Sequence, residues 1–452
     1  MRFWQRIVVV FVLMYVSSCA TYKAQYKDEN KQDYFPANKE IEHSFYIIGD
    51  AGNAEMGKST KALEAFKEQL DIADKNSTAI FLGDNIYEVG MPEKENKERE
   101  LSEHRLDVQI ETAINYKGRP IFIPGNHDWY SGIKGLKRQE KYIEETLGKD
   151  TFLPENGCPI EKVNISDDIV LLILDSQWYI TNWDKHPTIN DDCAIKTRAL
   201  FFDEVESEIK KARGKTTIIA VHNPLFTNGN HGGQYSFKSH MSPVPILGTV
   251  KNIMRKTGGV ANVDDQNKIY REYKERLITL SQVNDKVVFV SGHDHNLQYL
   301  IQDNIPQIVS GSGAKLTPTR NVGGGQFSYT TPGFVRLDVF KDGSSFVRFY
   351  SAENDEIVFQ TEVVKAEKRT YNPKFSTEFP LSKNASVYTE EETDKSGFHK
   401  LLFGKRYRDY YSTEINAPTV NLDTLFGGLT PIRKGGGHQS KSLRLEDNEG
   451  RE

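Results

Sequence analysis

One recurring unit constrains this chain more than any other feature: a short β-branched or aromatic run that ends in a polar turn. It appears as SFYII at 44–48, AIFL at 79–82, PIFI at 120–123, IVLLIL at 169–174, TIIAV at 217–221 and VVFV at 287–290. Apolar runs this short and this continuous suit strands covered on both faces. Helical spacing lies between them. Residues 196–213 set Leu200, Phe201, Val205 and Ile209 near one face, and 101–116 and 265–281 also read as helices. The alternation predicts an α/β core with much parallel pairing. Beyond residue 300, PQIVSG, GFVRLDVF and SFVRFYS read as consecutive antiparallel strands joined by turns such as KDGS. The expected architecture is a two-sheet β-sandwich of mixed sheets flanked by helices (αββα).

Five motifs sit at the ends of these strands: IIGDAGN (47–53), FLGDNIY (81–87), IPGNHD (123–128), AVHNP (220–224) and VSGHDHN (290–296). A Gly-Asp pair after a strand is usually only a turn, and a lone histidine is usually structural. Turns do not, however, require Asp, Asp, Asn-His, His and His-x-His in order at successive strand ends. That series matches what a two-metal site needs: a bridging carboxylate, terminal ligands for each ion and open positions for water and substrate. The glycine-rich stretches SGSG (310–313) and GGG (323–325) are not phosphate-cradling P-loops, because neither has the Lys-Ser/Thr that follows at the required spacing. They read as tight turns near the site.

The five motifs in this order resemble the calcineurin-like metallophosphoesterase superfamily. Within it they are closest to the purple acid phosphatases of the small tartrate-resistant type. The likeness covers roughly 44–363 and extends to SGHDHNLQYL and the SGSG that follows. Many relatives have Asp-x-His in the first motif, whereas here the third position is Gly52. The resemblance then implies Tyr87 as the replacement ligand, a phenolate suited to a hard trivalent iron. It implies two metal ions: Fe(III) held by Asp50, Asp84, Tyr87 and His295, and a divalent ion (iron, zinc or manganese) held by Asp84, Asn126, His222 and His293. Asp84 would bridge. It further implies hydrolysis of phosphate monoesters by a hydroxide held at the dinuclear centre, with His127 at the ester oxygen and His231 protonating the leaving group. Asn223 is a candidate for a hydrogen bond to substrate, and 228–262 for a lid. A phosphodiesterase or nucleotide hydrolase of the same superfamily, or an envelope binding or assembly protein on this scaffold, are the competing readings.

The flanks point outside the cytosol. Arg2 and Arg6 precede the apolar run Ile7 to Val16, and Val16-Ser17-Ser18 then leads into Cys19. This resembles a bacterial lipoprotein signal that ends at residue 18 and leaves Cys19 as the lipidated first residue; a plain secretory leader is the alternative. The protein is therefore expected to be exported and lipid-anchored to the bacterial cell envelope, periplasmic or surface-facing. Residues 19–42 read as a polar tether, 43–364 as the metallophosphoesterase domain, and 365–452 as a charged C-terminal extension. Export favours a disulfide between Cys158 and Cys193 over two separate thiols. A formal charge of −5 and a pI near 6.2 provide no global attraction to nucleic acid, and none is expected as a partner.

Overall fold

The computed structural model describes residues 19–28, 33–258, 264 and 266–366. The leader (1–18) and nearly all of the C-terminal extension lie outside these residues. In chain order the strands are β1 (Gln25–Tyr26), β2 (Ile41–Ile48), β3 (Ser77–Phe81), β4 (Arg119–Phe122), β5 (Ile160–Asn164), β6 (Ile169–Leu174), β7 (Thr216–Val221) and β8 (Val287–Ser291). They continue with β9 (Leu297–Gln302), β10 (Ile305–Ser310), β11 (Gly325–Tyr329), β12 (Gly333–Phe340), β13 (Ser345–Ser351) and β14 (Glu356–Val364). The helices are α1 (Lys61–Asp71), α2 (Arg99–Ala113), α3 (Gly132–Leu147), α4 (Ser176–Ile180), α5 (Arg198–Lys211), α6 (Phe237–Met241), α7 (Pro245–Gly258) and α8 (Lys268–Ser281).

Two mixed sheets result. One has the order β14-β13-β12-β2-β3-β4, the other β1-β11-β9-β10-β8-β7-β6-β5. In the first, β2, β3 and β4 run parallel and β12 to β14 antiparallel. In the second, β6, β7, β8 and β10 run parallel, and β5, β9, β11 and β1 pair antiparallel at the flanks. Strand pleating sends alternate residues to opposite layers. Phe45 and Ile47 thus join Ile80, Leu171, Ile218 and Val288 in one buried cluster, while Tyr46 and Ile48 join helix residues such as Leu63 and Phe66 in another. Both faces are apolar because both are covered, and the arrangement is a two-sheet αββα sandwich.

Three details differ from the sequence-based expectation. On α5, Leu200 is 46% exposed and Phe202 is buried in its stead. At 100° per residue, Phe202 falls only about 20° beyond the arc from Phe201 to Ile209, whereas Leu200 lies about 100° outside it. Helices α1, α3, α4, α6 and α7 lie outside the segments whose spacing predicts helix. Finally, the described part of the expected tether runs along the domain. Its β1 extends the second sheet through β11, and the Tyr26 ring lies 5.4 Å from Phe327 and 6.4 Å from Phe359. An aromatic and a sheet edge with unpaired backbone groups suffice to hold a polar segment in place.

The expected disulfide is formed: Cys158 and Cys193 are bonded, with Cα atoms 5.4 Å apart.

Candidate metal centre

Parallel strands bring their C-terminal ends to one side of a sheet, so the residues that follow them converge. Asp50 follows β2, Asp84 follows β3, Asn126 and His127 follow β4, His222 follows β7, and His293 and His295 follow β8. Cross-sheet bonds join the two sets. His222 Nδ1 meets the Leu82 carbonyl at 2.7 Å, and the His293 amide donates to Asp50 Oδ2 at 2.7 Å. Asp50, Asp84 and His293 all have positive φ (56°, 53° and 71°), sparsely populated for such residues and characteristic of functional sites.

All nine sequence-selected residues meet in this region, in two neighbouring groups. In the first, the Tyr87 hydroxyl lies 2.9 Å from Asp50 Oδ1 and 3.1 Å from His295 Nε2. In the second, His222 Nε2 lies 3.1 Å from Asn126 Oδ1, 3.2 Å from His293 Nδ1 and 3.4 Å from Asp84 Oδ1. Asp84 stands between them. Oxygen or nitrogen atoms of Asp50, Asp84 and His222 lie within 4.8 Å of one another, and all three side chains are buried. His127 donates its amide to Asp84 Oδ1 at 2.8 Å, and its ring faces Tyr87 with centroids 4.3 Å apart. The His231 ring packs 4.0 Å from His293, with Nδ1 at 3.0 Å from Asp264 Oδ1.

Glycines make the convergence possible. A side chain at Gly125 would collide with Asp84, and one at Gly52 would run into the backbone of Asn85 and Ile86. Residue 52 therefore cannot carry a histidine here, because the loop that brings Tyr87 lies where that side chain would be.

The donor chemistry fits cations. Burial, then Asp50 and Asp84, push the Tyr87 phenol well above its ordinary range. Burial works against ionised Asp50, but His295 and His222 outweigh it and hold the carboxyl below its usual value. Burial likewise opposes protonation of His222, yet Asp84 and Asp50 reverse the balance and raise it. Two carboxylates, a phenol and three imidazoles packed together, all buried but the part-exposed His295, are a poor arrangement without positive charge and a good ligand set with it. Around the set, Lys315 Nζ sits 3.6 Å from the centre of the Tyr87 ring.

Several contributors were not selected from sequence. Asp128 accepts amide hydrogens from Gly125, Asn85 and Ile86 at 2.7–3.1 Å, tying two ligand loops together. Burial, then Asp84, push its carboxyl up to about 7. It lay inside PGNHD, so its motif was visible but its inward orientation was not. Asp264 and Lys315 sit in no motif, and only folding places them. Asn223 is buried: its Oδ1 accepts from Ser176 Oγ at 2.7 Å, which braces the strand end, while its Nδ2 has no hydrogen-bond partner among the described residues. SGSG packs against the site, with the Gly49 amide donating to Ser310 O at 2.7 Å and Gly311 close against Asp50.

The chain is similar to known proteins. Residues 43–297 match the family described as Calcineurin-like phosphoesterase. The chain is 22% identical over 329 residues to Purple acid phosphatase 3 of Arabidopsis thaliana, covering 70% of this chain and 74% of that protein. Among solved structures, purple acid phosphatase PPD1 of yellow lupin (Lupinus luteus) is 13% identical with a TM-score of 0.47, covering 73% of this chain and 54% of the other. The Plasmodium protein GAP50, described as the anchor in the inner membrane complex, has a TM-score of 0.47 at 15% identity, covering 73% and 91%. The family match spans more than half of the chain and includes the five motifs down to His295: this protein belongs to the calcineurin-like phosphoesterase family and, within it, is similar to purple acid phosphatases.

Proposed function

We propose that this protein is a dinuclear-metal phosphatase that hydrolyses phosphate monoesters. The observation that carries the proposal is the position of Asp84, a buried carboxylate between a Tyr87–Asp50–His295 group and a His222–Asn126–His293 group. The first group would hold a trivalent iron, a hard cation suited to a phenolate ligand such as Tyr87. The second would hold a divalent ion. When bound, the pair would supply Lewis acidity to phosphate oxygens and lower the pKa of water.

The chain's own residues supply the remaining steps. His127, 19% exposed beside Asp84, would donate to an ester oxygen. His231 is the proton donor to the leaving alkoxide. Asp264 holds its Nδ1, which directs Nε2 away from Asp264 and keeps the ring in one orientation. Burial opposes protonation of His231, but the Asp264 hydrogen bond and Asp294 overcome it, so the group is held above its ordinary value. Lys315, ion-paired with Glu88 at 3.0 Å, covers the Tyr87 ring.

The test uses the chain from residue 19 onward. Metal analysis should return about two equivalents, and aryl monophosphates should be cleaved faster than the corresponding diesters. Asp84→Asn should lower turnover by more than about 100-fold, the scale seen even for outer partners of metal ligands, with far-UV circular dichroism unchanged. Normal turnover in Asp84→Asn would refute the assignment. Preference for diesters would retain the metal site and change the substrate class.

A further inference from the structure

The segment that carries His231 also carries an inverted helix. On α7, Gly248 and Asn252 are buried and Arg255 is half-buried, bonded to Asp264 Oδ1 at 2.6 Å. The opposite side exposes Leu247, Val250, Ile253 and Met254, at 58%, 46%, 54% and 57%. At 100° per residue these four fall within an arc of about 120°, the width of the apolar stripe that ordinarily faces a core. Here polar residues face the protein and apolar ones face away. The neighbouring α6 adds exposed Phe237 and Met241, and Val244 bridges the two helices.

Two observations identify what covers this face. The first is the position of Cys19, which lines a cleft together with Tyr235, His240, Asn252, Ile253 and Lys256. The next residue, Ala20, donates its amide to Tyr235 O at 3.0 Å and forms a bridge with Ser236, directly before α6. The residue read as the lipid attachment point is thus pinned to the foot of the apolar helices. The second is charge. Residues 228–258 contain no Asp or Glu, and Lys238, Lys251 and Lys256 are exposed around the stripe. Among the described residues no helix is long and apolar enough to cross a membrane.

We propose that the outer face of α6–α7 is a lipid-docking surface. It lies in the headgroup region of the bilayer that holds the acyl chains on Cys19, with the flanking lysines on anionic headgroups. The proposal rests on the lipoprotein reading of the leader and is independent of the phosphatase reading. Docking would also constrain the loop that carries His231, because that loop leads directly into α6.

The test reads lipid contact without reference to turnover. Lipidated protein carrying Val250→Trp, reconstituted in phosphatidylglycerol-containing vesicles, should be quenched by lipids brominated on the acyl chains. A tryptophan at exposed Ile114, remote in sequence on the loop after α2, should not be. The unlipidated Cys19→Ser chain should still sediment with these vesicles, more weakly in phosphatidylcholine alone. The triple variant Leu247→Ser/Ile253→Ser/Met254→Ser should lose vesicle partitioning by on the order of 100-fold or more, since each apolar side chain entering the interface contributes roughly tenfold. Its melting temperature should not fall, because these side chains are solvent-exposed. Absence of brominated-lipid quenching at position 250 overturns the proposal. So does a position-250 tryptophan already shielded from an aqueous quencher in vesicle-free protein, which would assign the stripe to a second copy or to another part of the chain. Failure of phosphatase activity leaves these readouts unaffected.

Discussion

Gly52 offers the sharpest test of how the site is assembled. A Cβ added there would lie 2.1 Å from the Asn85 carbonyl carbon, 2.2 Å from its oxygen and 2.5 Å from the Ile86 nitrogen. Ordinary contact begins at 3.4 Å, so in Gly52→Ala the two ligand loops must part by about 1.3 Å. Two backbone bonds cross this seam: Gly52 N to Asp84 O at 3.1 Å, and Tyr87 N to Gly52 O at 2.9 Å. Overpacking costs about 1–3 kcal/mol and each of the two broken bonds about 1 kcal/mol, giving a destabilisation on the order of 3–5 kcal/mol. The same movement pulls the Tyr87 hydroxyl away from Asp50 and His295, and a misplacement of about 1 Å can reduce turnover about 100-fold. Thermal denaturation, metal analysis and kcat should therefore all change in Gly52→Ala. Gly57→Ala is the control: it has φ of 74° but open space around it, so it should cost about 1 kcal/mol of stability with metal content and kcat intact. Wild-type metal content and kcat in Gly52→Ala would refute the steric account of why tyrosine, and not histidine, serves this position.

Three further outcomes are expected. Tyr87→Phe should abolish any visible absorption of the metal-loaded protein and weaken one ion while leaving the other bound; Gly52→His should not rescue it, because the added ring has no room. Cys158→Ser/Cys193→Ser should lower stability by about 3–4 kcal/mol in the chain-entropy treatment, since a separation of 35 residues is closed by the bond; denaturant melts with and without reductant measure it. The third concerns His43 on β2, whose imidazole burial lowers to about 4. The unfolded chain takes up a proton near pH 6.5 while the folded one resists until about 4, so stability is full above pH 6.5 and falls as pH drops through this window, by at most about 3 kcal/mol. His43→Gln should flatten that dependence in urea melts at pH 7 and 4.5; an unchanged slope would remove His43 as its source.

The strands and the ligand types were legible from residues alone. Strands buried on two faces appear as continuous apolar runs, and metal donors are chemically distinctive, so Asp50, Asp84, Asn126, His222, His293 and His295 stood out at the strand ends, whereas Tyr87 entered only through the resemblance to purple acid phosphatases. Helices proved harder: α1 and α3 have apolar residues too sparse among lysine and glutamate to stand out, and only packing against the sheets selects them. Leu200 and Phe202 show the same limit, because a helix face is decided by what it meets. What tertiary structure alone decided are relations between segments distant in the chain. These include Asp128 tying two ligand loops, Asp264 reaching His231, Lys315 lying over Tyr87, and Cys19 pinned beneath an outward-facing apolar helix. A one-dimensional pattern specifies which atoms can bind or repel, but distances between segments far apart in sequence arise only when burial forces the strands into register and brings their ends together.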